Sequence, residues 1–174
     1  RAEHVAGHAL DRVYCVPMPA DVQRVFREDF GVRWIAEGYG MSEVPGILAQ
    51  PYGEPPRVGT MGRVCLHPDG RALGRVRVVD ERFTDVPSGQ VGTLVVQTEL
   101  AMQGYFEDPE RTRASVRDGW FVTGDRVREV EPGVYAFVAR DQEMIRRRGE
   151  NVSAVELDQA ALACPGVGEA AAVA

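Results

Sequence analysis

Two textures divide the chain. Before Pro51, short apolar runs flank a segment with helical rhythm; after it, apolar and polar residues alternate in short stretches cut by proline and glycine. In the first part, residues 10–16 (LDRVYCV) read as a short buried strand and residues 19–30 (PADVQRVFREDF) as a helix. Val22, Val25, Phe26 and Phe30 fall at helical spacing, Pro19 and Asp21 suit a first turn, and Gly31 ends the helix. Residues 32–36 (VRWIA) form a second strand. Strand, helix, strand is a parallel crossover unit. Ligands in open α/β sheets gather at the carboxyl ends of strands, and residues 37–43 (EGYGMSE) are expected at such an end.

In the second part, residues 74–80 (GRVRVVD), 92–98 (GTLVVQT) and 133–139 (GVYAFVA) read as antiparallel strands, with a turn at 85–92 and a short surface helix near Pro109. Together they predict a small barrel or curled sheet. The texture changes again after Ala139. Residues 143–149 (EMIRRRG) suit a short strand. Ser153 followed three residues later by Glu156 is a capping box for a helix from Ala154 to about Cys164, and residues 168–174 suit the start of another strand. The expected fold class is α/β plus β. The end of an α/β parallel-sheet subdomain (1–53) precedes a small antiparallel β-barrel-like subdomain (54–141) and the start of a small α+β carboxyl-terminal domain (142–174).

Composition narrows the chemistry. A chain of 174 residues with 44% hydrophobic content can bury a core. Its net charge of −6, with arginines scattered rather than striped, argues against nucleic acid as a partner. Cys15, Cys65 and Cys164 are too few and too far apart for a disulfide framework, which fits a reducing cytoplasm. No apolar run reaches membrane-spanning length. All 20 basic residues are arginine, so any step that needs a lysine ammonium cannot be completed by this chain.

Three stretches carry candidate chemistry. In EGYGMSE, glycines on both sides of Tyr39 would leave its ring face open to a purine; Ser42 can bond a phosphate oxygen and Glu43 can hold a hard cation such as Mg²⁺. Taken alone, the stretch reads more readily as a glycine-rich turn around a packed tyrosine. In residues 118–125 (DGWFVTGD), an aromatic pair leads to a tight turn and Asp125, whose carboxylate can accept two ribose hydroxyls or local backbone N–H groups. Residues 139–157 (ARDQEMIRRRGENVSAVEL) follow a strand with a charged cluster and a glycine, and also suit a solvated linker.

Their order and spacing, with residues 92–112 (GTLVVQTELAMQGYFEDPERT) between the first two, resemble the adenylate-forming (AMP-binding) superfamily of acyl-CoA synthetases, luciferases and peptide-synthetase adenylation domains. The RRRGENVSAVEL stretch looks most similar to crotonobetaine/carnitine–CoA ligases. The resemblance implies an AMP-forming acid–CoA ligase that uses ATP, Mg²⁺ and coenzyme A on a small carboxylic acid. A carrier-protein thiol is the alternative acceptor, and a β-rich interaction module without catalysis is the alternative class. By resemblance Tyr39 faces adenine, in a pocket shaped by Glu37, Gly38 and Gly40, with Val16 and Pro17 alongside. Ser42, where the family usually has threonine, touches the α-phosphate, and Glu43 ligates Mg²⁺. Asp125 and Arg140 hold the ribose. Gln142 falls at the hinge, and Gly149 and Glu150 in the loop that approaches the pantetheine arm.

Departures from the family pattern carry expectations of their own. Cys15 and Val16 stand where smaller residues are usual and would tighten the adenine side. Ala139 replaces a glycine before Arg140. Arg148 replaces a loop glycine, which would favour adenylation over thioester formation. The family's phosphate-gripping loop and its acyl-orienting lysine would lie before Arg1 and after Ala174. The chain alone is therefore expected not to turn over.

Overall fold

The structure, a computed structural model, describes residues 7–16, 20–55, 57–141, 144–147 and 150–173. The first unit is β1 (Arg12–Tyr14), α1 (Ala20–Glu28) and β2 (Trp34–Ala36), with β1 and β2 parallel and Arg12 opposite Trp34. The crossover read from the pattern is present. The first strand is shorter than residues 10–16, and it is not buried on both faces. Val13 and Cys15 point under α1 onto Val32, Ile35, Phe26 and Phe30, whereas Leu10, Tyr14 and Val16 are exposed. A helix covering one face of a strand imposes this alternation. Gln23 is the buried polar residue of α1; its side-chain amide donates to Glu37 at 2.5 Å.

After Ala36 the chain does not end at a strand mouth. It continues into an antiparallel hairpin of β3 (Gly38–Met41) and β4 (Val44–Ala49), extended by β5 (Arg63–Val64). Gln50 staples the loop that leads to β5. Its amide donates to the carbonyls of Arg57 (2.8 Å) and Thr60 (3.1 Å), and its oxygen accepts from the Arg57 N–H. Gly62, at φ +84°, passes so near Ala49 that a Cβ would lie 2.1 Å from its backbone.

The β-rich part is a five-stranded sheet ordered β10–β9–β7–β6, with β8 beside β9. Its strands are β6 (Arg75–Val79), β7 (Val91–Gln97), β8 (Val116–Arg117), β9 (Trp120–Glu131) and β10 (Val134–Arg140), and the short helix α2 (Pro109–Ala114) starts at an Asp108 cap. The hairpin packs onto this sheet. Tyr39, Val44, Ile47 and Leu48 share one core with Met61, Val78, Leu94, Val96, Phe121, Val127 and Tyr135. Met61 and Gly62 exchange backbone hydrogen bonds with Tyr135, so β5 is stitched to β10 and the two sheets curl into a half-barrel. Burying such a continuous apolar set dominates the stability of a unit this size.

Two expectations need correction here. The turn of DGWFVTGD precedes the aromatic pair, at Asp118 and Gly119, both with positive φ. The segment from Trp120 onward is one long strand, and Gly124 (φ +73°) marks an irregularity in its pairing with β7. In the last segment, β11 (Met144–Arg147) and β12 (Glu150–Ser153) form a hairpin ahead of α3 (Ala154–Leu162). The helix starts where the capping pattern places it and stops two residues before Cys164. Residues 168–173 form no strand. A strand needs a partner for its N–H and C=O groups, and none of the described residues supplies one; the Ala172 N–H bonds the Asp158 side chain instead.

Candidate functional site

The site is built where the hairpin meets the half-barrel. Asp125 sits in β9, directly opposite Arg140 of β10 in the pairing register, and a second irregularity between Phe137 and Ala139 sets that register. The Asp125 carboxylate is 1% exposed. Burial of a carboxylate needs donors on both oxygens, and both have one. Tyr39 donates its hydroxyl to Oδ2 at 2.5 Å from 86 residues away, and Arg140 donates Nε to Oδ1 at 3.0 Å. Behind it, the Asp125 N–H donates to Thr123 Oγ1 (3.0 Å), whose own hydroxyl donates to the Leu94 carbonyl (2.8 Å).

Tyr39 is 6% exposed, so its ring face is covered by the core rather than open. Burial, and next the hydrogen bond to Asp125, push its phenol well above the usual tyrosine range, so it stays a donor. The flanking glycines serve the fold. A Cβ on Gly38 would lie 2.0 Å from the Tyr14 hydroxyl and 2.7 Å from the Leu48 carbonyl, and one on Gly40 would lie 2.4 Å from the Gly46 nitrogen. Of the segment before Pro17, Tyr14 is the residue that reaches the hairpin; Cys15 faces α1, and Val16 is exposed. Glu37 is half-buried under Gln23, and its carbonyl accepts from the Gln50 N–H.

Ser42 and Glu43 occupy the hairpin turn between β3 and β4. Sequence reasoning missed the residue that holds Glu43. Tyr105 donates its hydroxyl to Glu43 Oε1 at 3.0 Å, and the Glu43 carbonyl accepts from the Met102 N–H at 2.8 Å. Tyr105 is itself fixed from α2. Its N–H donates to Thr112 Oγ1 (2.9 Å), and the Arg111 guanidinium lies 3.9 Å from its ring centre. Its phenol is raised, by burial first and then by Glu43. The available signal was its place in the motif between GTLVVQT and PERT.

Among the described residues, no group of three or more His, Cys, Asp or Glu is placed to hold a metal. Glu43 still fits Mg²⁺, which keeps several waters, takes one or two carboxylates and completes its shell with phosphate oxygens. Its Oε2 has no hydrogen bond among the described residues, and Ser42 beside it is exposed. Pro17, Gln142, Arg148 and Gly149 lie outside the described residues. Glu150 begins β12, and its side chain is likewise outside them. No helix among the described residues is long and apolar enough to cross a membrane.

The AMP-binding enzyme family matches residues 3–106. The chain is 36% identical to triostin synthetase I of Streptomyces triostinicus, covering 96% of this chain and 31% of that protein. It is 32% identical to the crotonobetaine/carnitine–CoA ligase of Salmonella paratyphi B, covering 91% and 30%. The crystal structure of ATP-bound MatB from Rhodopseudomonas palustris superposes with a TM-score of 0.77 at 29% identity, over 92% of this chain and 31% of that one. The chain thus spans about a third of the length of the relatives it matches. Its family match, its curled antiparallel half-barrel and these likenesses agree: the chain belongs to the AMP-binding, adenylate-forming enzyme family.

Proposed function

We propose that this chain is part of an ATP-dependent, AMP-forming acid–CoA ligase, which activates a carboxylic acid as an acyl-adenylate and passes it to coenzyme A. The observation that carries the reading is the meeting of Tyr39, Asp125 and Arg140, brought together from separate motifs. In this reading Asp125 accepts from the ribose hydroxyls and Arg140 donates to them. Tyr39 lies under the adenine in a pocket shaped by Glu37, Gly38 and Gly40, with Val16 and Pro17 beside it. Ser42 bonds the α-phosphate. Glu43 holds Mg²⁺, which when bound offsets the repulsion between the attacking carboxylate and the phosphates. Gln142 serves as the hinge before a mobile carboxyl-terminal domain that begins at residues 142–174, after an α/β part (1–53) and a β-rich part (54–141). Gly149 and Glu150 line the approach of the pantetheine arm. Cytoplasmic residence accords with the chemistry of the substrates.

The chain holds the nucleoside end of the site and contains no lysine. It is expected to make no acyl-adenylate alone. ATP–pyrophosphate exchange by the isolated 174 residues would overturn that. Calorimetric titration of the complete ligase with AMP tests the site itself: binding that is lost in Asp125→Ala supports it, and no binding to the unaltered protein removes it. A carrier-protein thiol is the second acceptor to test, because triostin synthetase I and the CoA ligase are similar to this chain over nearly the same span. Thioester formation on coenzyme A or on a phosphopantetheinyl carrier protein separates the two.

A further inference from the structure

We infer that the Tyr39 hydroxyl is a positioning group that fixes the ribose-binding carboxylate, and that Arg140 is its exchangeable cover. The inference rests on the reading of Asp125 as the ribose acceptor. Asp125 is 1% exposed, so no ribose hydroxyl reaches it while both of its donors stay in place. The two donors are not alike. Tyr39 is 6% exposed and locked into the core with Val44, Ile47, Leu48 and Phe121. The Arg140 side chain is 54% exposed and reaches Asp125 from the last residue of β10. Entry therefore proceeds from the arginine side. The guanidinium leaves Oδ1, a ribose hydroxyl donates to the freed oxygen, and Arg140 donates to the ribose from the rim.

Throughout, Tyr39 keeps its bond to Oδ2. The Asp125 N–H on Thr123 and the Thr123 hydroxyl on the Leu94 carbonyl pin the backbone behind it. The carboxylate plane is thus set before the nucleotide arrives, and the ordering cost is met by the fold rather than at binding. The hydroxyl of Tyr39 then contributes to ribose recognition separately from anything its ring does with the base.

The test compares ATP, 2′-deoxy-ATP and 3′-deoxy-ATP as substrates of the complete ligase in pyrophosphate exchange, with GTP as a base control. Tyr39→Phe should cut the preference for ATP over the deoxynucleotides about tenfold, as loss of a hydrogen bond to a charged group implies. It should leave the preference for ATP over GTP unchanged, which a general loosening would not. Thr123→Val, which removes the pin on the Asp125 N–H, should cut the same preference about threefold and leave ATP over GTP unchanged. Equal ribose preference in Tyr39→Phe and the parent overturns the inference. If Tyr39→Phe fails to fold, Thr123→Val decides, and a preference equal to the parent's there overturns the inference. A parent enzyme indifferent to the ribose hydroxyls refutes the assignment of Asp125 itself, a different failure.

Discussion

The site's two carboxylates stand in opposite surroundings. Asp125 lies within the barrel core, with a donor on each oxygen and a strand partner behind it. Glu43 lies on a hairpin turn, half-buried, with one side-chain donor, Tyr105. A buried carboxylate is part of the fold: remove it, and the buried Tyr39 hydroxyl loses its partner in a place water cannot enter. A turn carboxylate is nearly independent of the fold and free to bind a cation. On the proposed reading, one chain thus separates the group that must be rigid from the group that must be available.

Substitutions can break or sharpen that contrast. The largest effect is expected from Asp125→Ala, which strands the Tyr39 hydroxyl in the core; urea unfolding should show a loss of about 3 kcal/mol. A loss below 1 kcal/mol would show that the donors find other partners. Alkaline pH comes next. Tyr39 is raised in the folded chain above its unfolded value near 10, so its contribution is complete below that pH. It is lost as pH climbs past it, at up to about 1.4 kcal/mol per pH unit. Above pH 10 the stability of Tyr39→Phe should therefore fall less steeply than the parent's; parallel curves would refute the burial argument. Tyr105→Phe should cost about 1 kcal/mol, because the bond it loses is only partly buried. The smallest change in stability belongs to Glu43→Gln, within about 0.5 kcal/mol by thermal melting. The same variant of the complete ligase should lose adenylation by at least about a hundredfold. A strong destabilisation would make Glu43 a fold residue after all.

Much of this was legible in the residues. The crossover of β1, α1 and β2 follows from apolar spacing, and the strands of the half-barrel from alternation and turn residues. Tyr39, Glu43 and Asp125 were visible through the order of their motifs. What was hidden is how they meet. The Tyr39–Asp125 bond spans 86 residues, and the irregularities in the pairing of β9 and β10 shift the register by amounts that periodicity does not encode. The covered ring of Tyr39 was read as open, because glycines signal access as readily as close backbone packing. Tyr105 escaped notice because an aromatic after a glycine in a loop carries no period. β5 and β8, each two residues long, are shorter than any pattern can reveal.

The two bonds to Asp125 also differ in how far apart their ends lie along the chain, 15 residues for Arg140 and 86 for Tyr39. Closing the longer loop costs about 1.5 kcal/mol more chain entropy. The Arg140 clasp therefore belongs to a local hairpin that can form early, whereas Tyr39 arrives only when β3 and β4 dock. On the proposed reading, the nucleoside corner is complete only once β3 and β4 have docked on the long strand that carries Asp125.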